Sequence, residues 1–429
     1  MKVLGIADSD SYVKWGAATL ERMPESWERE LVLLRTPALP SEPQLDAALR
    51  GTRFEFDRPQ VLDLTEISTL VAAAEPTVVL LSVRGPAIRV LVRTIVAAAA
   101  RRPVLVSGMP GLSIPETMLA VYYRSQVDVF LLHSKREVRT FGALTEKLGL
   151  EQDFALTTLP FLGGRPIAAS AGTDIVFAPQ AKVPREPAQR EWLVDRLIDV
   201  AIENPDRRVV VKIRGRAGEP QTHPESHPLD GLLAQRASVP ANLVVATGAI
   251  SDALDRAAAL VTVSSTAALE AMARGVPVLA LDDFGVDAKL INTVFVGSGV
   301  QADSEQFIAG RFRHPHPAWL NDNYFHAPAD ETWLPAIEAA ALRRETGAFP
   351  LRPQFRGQFG GSLRRAWDRK RALGPYDRTL SGYAAAAVGT PLRWAVRRAR
   401  WVAARIAEWR DGQPAVVLPV PGREQRTVR

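Results

Sequence analysis

"LVTVSSTAALEAMARGVPVLAL", residues 260–281, decides the fold. An apolar run stops at Ser264-Ser265-Thr266, the helix-forming "AALEAMAR" follows, Gly275 ends it, and a second apolar run begins. Continuous apolar strands alternating with helices belong to a parallel sheet covered on both faces. Such a sheet binds ligands beyond the carboxyl ends of its strands. The three hydroxyls stand at one of those ends.

The same unit recurs on both sides. Upstream, "DIVFAP" (174–179) leads to the helix "REWLVDRLIDVAIEN", "RVVVKI" (208–213) to the loop "RGRAGEPQTHPESHP", and "NLVVAT" (242–247) to "GAISDALDRA". Further upstream, "KVLGIA" (2–7), "TVVLLSV" (77–83), "PVLVSG" (103–108) and "VDVFLLH" (127–133) read as buried strands of an earlier sheet. Between the two sets lies the small, Gly-rich, nearly uncharged "LGGRPIAASAGT" (162–173). The chain therefore reads as α/β: two Rossmann-like domains facing a cleft, with a basic, partly helical C-terminal tail. The expected bounds are an N-terminal acceptor domain over 1–166, a linker over 167–173, a donor domain over 174–335 and a tail over 336–429. No repeat of solenoid period is present.

The 429 residues, 47% of them hydrophobic, suffice for two domains with real cores. There is no cysteine, hence no disulfide framework and no cysteine-ligated metal. The six histidines include no HExxH pair, and no metal site or cofactor is expected. "MKVLGIADSD" reaches an acid too soon for a signal-peptide core. No apolar stretch approaches about 20 residues, so a cytoplasmic chain is expected. The net charge of +6 is unevenly placed: residues 341–429 carry 19 Lys+Arg against 6 Asp+Glu, the rest 34 against 41. Within the tail, "PLRWAVRRARWVAARIAEWR" (391–410) is amphipathic, with Leu392, Val396, Val402, Ile406 and Trp409 on one face and arginines elsewhere. It suits an anionic membrane surface, and equally a helix packed back on the first domain. Nucleic acid is not expected, because no reader fold accompanies the arginines.

Hydroxyls and unpaired backbone N–H groups at a helix start suit an anion, most often phosphate. Helix capping is the plainer alternative, but one hydroxyl is enough for that. Glu270, one turn into the helix, is placed to meet ribose hydroxyls. The strand "VVVKI" feeds Lys212, Arg214 and Arg216 toward Thr222-His223-Pro224-Glu225, cations suited to phosphate or carboxylate. Gly248, after "NLVVAT", joins the donor-binding set. His227, His314 and His316 read as loop residues, and His133 as a helix-entry residue, with an acceptor contact as the alternative. Asp8 and Asp10 end the first strand and are the candidate bases, with Asp-Ser turn chemistry as the alternative. "DDFG" (282–285) lacks the company of a kinase metal loop, and "GMPG" and "LGG" are turns rather than dinucleotide fingerprints.

An "HP" loop followed by an "SS" strand–helix turn, in the second of two Rossmann-like domains, resembles GT-B glycosyltransferases. The nearest motif likeness is to bacterial sialyltransferases, polysialyltransferases and capsule Kdo transferases. Over residues 1–330, "DSYVKWG", "PGLSIPET", "HSKREVRTF", "APQAKVP", "KIRGRAGEPQTHPE" and "TVSSTAALEAMARGVPV" resemble an actinobacterial family labelled "putative glycosyltransferase". The resemblance implies that Ser264, Ser265 and Thr266 hold the donor phosphate. It implies that His223, with Pro224, contacts that phosphate and protonates the leaving group. It implies further that Glu270 contacts ribose and that Gln180 lies by the hinge and donor. The acidic pair plus glycine of those sialyltransferases has no clear copy here, and Asp8 and Asp10 are the substitute.

The expected activity is metal-independent transfer of a sugar from a nucleotide-activated donor, CMP-linked favoured and UDP an alternative. The acceptor would be a cell-surface glycan, such as capsule, or its lipid-linked precursor. Two rivals stay open: a nucleotide-sugar 2-epimerase, and a non-catalytic, membrane-associated polysaccharide-assembly protein.

Overall fold

The computed structural model describes the chain except residues 163–171, 182, 214–226, 348, 354, 356–360 and 411–429, with backbone alone at 397 and 400–410. Its first sheet is built from β1 (Lys2–Ala7), β2 (Glu28–Leu34), β3 (Gln60–Leu62), β4 (Val78–Ser82), β5 (Val104–Gly108), β6 (Val129–Leu132) and β7 (Phe154–Leu156). Between them run α1 (Asp10–Glu21), α2 (Glu42–Leu49), α3 (Leu64–Ala74), α4 (Gly85–Ala98), α5 (Met118–Arg124) and α6 (Lys135–Lys147). All strand pairs are parallel, in the order β3-β2-β1-β4-β5-β6-β7.

The second sheet comprises β8 (Asp174–Phe177), β9 (Val209–Lys212), β10 (Leu243–Ala246), β11 (Ala257–Thr262), β12 (Val278–Leu281) and β13 (Gln301–Ala302). Its helices are α7 (Pro187–Glu203), α8 (Leu229–Ala234), α9 (Ile250–Leu254), α10 (Ala267–Ala273) and α11 (Ser304–Ile308). The order is β10-β9-β8-β11-β12-β13, again all parallel. The architecture is two Rossmann-like domains, and it arises because both faces of each strand are apolar. In the first sheet Val3, Val78, Leu80, Val104 and Val106 face one layer of the core, while Leu4, Ile6, Val79, Leu81 and Leu105 face the other. Alternate side chains of a strand point to opposite faces, so both faces need cover.

Four helices follow the second sheet: α12 (Pro317–Asp322), α13 (Trp333–Thr346), α14 (Ser362–Leu373) and α15 (Leu380–Arg410). Residues 336–346, read from the sequence as the start of the tail, lie in α13, which packs against β5, β6 and β7 of the first sheet. The chain thus returns to the domain it began with. Trp333, Ile337, Ala340 and Ala341 are buried there. The Thr332 N–H donates to the Leu156 carbonyl at 2.9 Å, and the Leu156 N–H donates to Thr332 Oγ1 at 3.0 Å. Glu331 accepts both Nη2 contacts from Arg22, at 2.7 and 2.8 Å, and the Thr158 N–H at 2.9 Å. Beyond this return α14 packs on α4 and on α15. From Pro391 to Val396 α15 is exposed on all sides.

Because α13 completes the core, Ile337→Ala should lower stability by about 2–5 kcal/mol. Leu392→Ala, on exposed α15, should stay within about 0.5 kcal/mol. Urea unfolding of the full chain measures both.

Candidate active site

The carboxyl ends of the two sheets meet at a cavity of about 660 Å³, inside the size range of small-molecule sites. From the first domain, Asp10, Lys14 and Glu21 of α1 line it, together with Gln44 of α2 and Arg50. Residues 10, 14, 18 and 21 share one face of α1 by helical spacing, and all four line the cavity. From the second domain come Lys212, Gly248, Ser265, Thr266, Glu270 and Arg274. A Cβ added to Gly111, beyond β5, would meet Thr266 Oγ1 at 2.7 Å. Glycine there lets the backbone of one domain approach a hydroxyl of the other.

An ion pair crosses the cleft. Lys14 Nζ donates to Glu270 Oε1 at 2.8 Å and sits 4.4 Å from the centre of the Phe161 ring. Lys212 is buried and donates to the Gly248 carbonyl at 2.6 Å. Gly248 has φ +99°, a left-handed conformation that a side chain would disfavour. The turn therefore offers its carbonyl to the lysine while the lysine still borders the cavity.

The three hydroxyls have separate roles. Ser264 is buried and does not line the cavity: its Oγ lies 2.5 Å from Gln180 Oε1 and 2.6 Å from the Leu290 carbonyl oxygen. Gln180 Nε2 donates to the Ser264 carbonyl. These two residues brace the ends of β8 and β11. Ser265 accepts from the Ala267 N–H at 3.2 Å, and Thr262 Oγ1 accepts from the Ser265 N–H at 3.1 Å. These two hydroxyls hold the turn that leads into α10, whose N-cap residue, Thr266, lines the cavity. Since α10 has only seven residues, its dipole is a small part of any anion site.

Asp8 is placed apart from Asp10. It is fully buried and accepts from the Arg84 N–H at 3.0 Å and from Arg84 Nε at 2.9 Å. Burial pushes its carboxyl above the ordinary range, against the pull of Arg84. It does not line the cavity, whereas Asp10, the first residue of α1, does. Arg214, Arg216, Thr222, His223, Pro224 and Glu225 lie outside the described residues.

The family described as "Putative glycosyltransferase (DUF6716)" matches residues 3–340. The chain belongs to this family. Among solved structures it is similar to a "putative UDP-N-acetylglucosamine 2-epimerase from Listeria monocytogenes", with 14% identity and TM-score 0.52 over 82% of this chain and 98% of that one. It is also similar to MnaA of S. aureus in its co-structure with UDP, with 11% identity and TM-score 0.50 over 77% of this chain and 91% of that one. These likenesses show the fold, the GT-B pairing of Rossmann-like domains. No curated protein matches the chain.

One residue of the site and one that supports the loop after β5 had little signal in the sequence. Arg274, at the end of α10, lines the cavity, yet a cation closing a helix is ordinary. Glu137 is buried and accepts from the Tyr324 hydroxyl at 2.6 Å, the His133 N–H at 2.8 Å and the Ser113 N–H at 3.2 Å. Burial pushes the Glu137 carboxyl upward. It ties the loop after β5 to the returning segment at Tyr324.

His133 lies just before Ser134, the N-cap of α6. Its Nε2 accepts from Trp15 Nε1 at 2.8 Å, and its Nδ1 faces the Thr157 carbonyl at 3.0 Å. Burial lowers its pKa from 6.5 to about 4, so the imidazole is neutral at pH 7. The folded state then binds fewer protons than the unfolded state between those values, and stability falls as pH drops from about 6.5 to 4. The loss is on the order of 3 kcal/mol. His133→Gln keeps an acceptor for Trp15 and should flatten this slope, as measured by urea midpoints at pH 7 and pH 5.

Proposed function

We propose that the chain transfers a glycosyl group from a nucleotide-activated donor to an acceptor hydroxyl in the cleft. One observation carries this: Asp10 from the first domain and Lys212, Thr266 and Glu270 from the second line a single cavity. Asp10 takes the proton of the acceptor hydroxyl as its oxygen bonds to the anomeric carbon. The bond from that carbon to the donor phosphate oxygen breaks, and the nucleotide leaves with the electron pair. Lys212 and Thr266 stabilise the charge gathering on that phosphate. Glu270, held to Lys14 through Oε1, offers Oε2 to ribose hydroxyls. His223, Arg214 and Arg216 complete the phosphate side on the strength of the sequence pattern. Fixed cations supply the electrostatic work, so transfer should survive EDTA.

The decisive measurement pairs nucleotide binding with turnover. A thermal-shift series with CMP, UDP, GDP and CDP identifies the donor base, because a ligand of the native state raises Tm. Asp10→Asn should lower turnover about 100-fold or more while nucleotide affinity stays within about twofold. Thr266→Ala should weaken nucleotide binding roughly tenfold, the scale of one hydrogen bond to a charged group. An Asp10→Asn enzyme with full turnover overturns the assignment of the base.

The second reading is epimerisation at sugar C2, favoured by the likeness to a structure titled as an epimerase. Incubating the donor sugar without acceptor separates the two, since only an epimerase changes the sugar. Donor binding with neither transfer nor epimerisation would support the non-catalytic assembly protein.

We also propose that α15 rests on an anionic membrane surface and brings the cleft to a lipid-linked acceptor. No described helix is long and apolar enough to cross a membrane. On α15, however, Leu380 is 88%, Leu392 64% and Trp394 63% exposed, beside Arg393 and with Arg398 stacked 5.5 Å from the Trp394 ring. Apolar and cationic side chains together match the lipid interface. Vesicles containing anionic lipid should float the full chain at low salt and release it as salt rises. Flotation that survives deletion of residues 380–429 would place the contact elsewhere.

A further inference from the structure

Among the described residues, Arg274 stands apart from the other cationic side chains of the cleft. Lys14 is paired with Glu270, Arg22 with Glu331 and Arg50 with Asp252, at 2.8, 2.7 and 2.7 Å. Lys212 spends its ammonium on the carbonyls of Ile213 and Gly248. Arg274 has no ion pair among the described residues, and its Nη1 is shielded from solvent with no hydrogen-bond partner among them. An unmet guanidinium N–H in that position is costly. The carboxylate that would ordinarily meet it is Glu270, four residues earlier on the same helix face. Lys14 reaches from the other domain and takes that carboxylate instead. The pair across the cleft leaves the Arg274 guanidinium on the cavity wall without a carboxylate among the described residues.

Thr266 and Arg274 are the N-cap and C-cap of α10, eight positions apart, about 12 Å at the helical rise. That separation favours a second anion locus over a shared hold on one phosphate. We propose that Arg274 binds a carboxylate or phosphate of the molecule occupying the cleft beside the nucleotide, which makes the acceptor anionic. A planar guanidinium with paired N–H donors suits either group. The anion site itself stands on the geometry of Arg274; that its bearer is an acceptor rests on the transferase reading.

The test uses inorganic phosphate and glucuronate as probes on the full chain, in the presence of saturating CMP or UDP. Either probe should raise the Tm of the wild type. Arg274→Gln should weaken that response roughly tenfold or more, Arg274→Lys should keep part of it, and both should hold nucleotide affinity within about twofold. Phosphate or glucuronate should also slow phenylglyoxal modification of Arg274 in the wild type, read by peptide mass spectrometry, which needs no variant to fold. The probe that protects better tells a phosphate-bearing from a carboxylate-bearing partner. An undiminished probe response in Arg274→Gln, or a wild type indifferent to both probes, overturns the site. So does a tenfold loss of nucleotide affinity with an intact probe response, because Arg274 would then serve the donor. If neither nucleotide binds the wild type but the phosphate response still depends on Arg274, the anion site stands and the donor reading falls.

Discussion

Parallel pairing dictates nearly everything about this molecule. When every strand of a sheet runs the same way, every carboxyl end lies on one edge, and each crossover helix must start there. Two such sheets with those edges turned toward each other leave a cavity whose walls are helix starts and strand-end loops. That is why Asp10 and Thr266, 256 positions apart in the chain, border one space. Chemistry then depends on which side chains at that edge are left over after the fold has taken what it needs.

The fold takes a large share. Asp8 is committed to Arg84, Ser264 and Gln180 to each other, and Ser265 to the start of α10. Within the short runs Asp8-Ser9-Asp10 and Ser264-Ser265-Thr266, the first polar residue is drawn into the core and the last borders the cleft. An unbroken strand would set residues two apart on one face; here the chain turns from strand into helix between them, so the first and last of each run meet different surroundings.

This explains what was legible in the sequence. The unbroken apolar runs, the helical spacing between them and the restart at Asp174 all follow from local chemistry, so the two parallel sheets could be read directly. The edge that would hold a ligand was legible for the same reason. The different placement of Asp8 and Asp10 was not, since Asp8 is held by Arg84, 76 positions away. Nor was Arg274, whose availability is set by Lys14 taking Glu270 from the opposite domain. The return of α13 to the first sheet was invisible too. "WLPAIEAAALRRET" shows that one face will be buried, but no local signal names the surface that buries it.

That return has a consequence for how the protein is made. On the ribosome, the strands that α13 covers are finished long before Trp333 is synthesised. A chain growing at about 5–20 residues per second leaves that apolar face open for roughly 10–40 s. Near the end of that time the second domain has all its strands while the first still lacks a helix. The later domain can thus mature first, and the earlier one waits on nearly the whole length of its neighbour. Nascent chains stalled short of residue 346 hold an exposed β5–β7 surface, the kind of surface on which chaperones act.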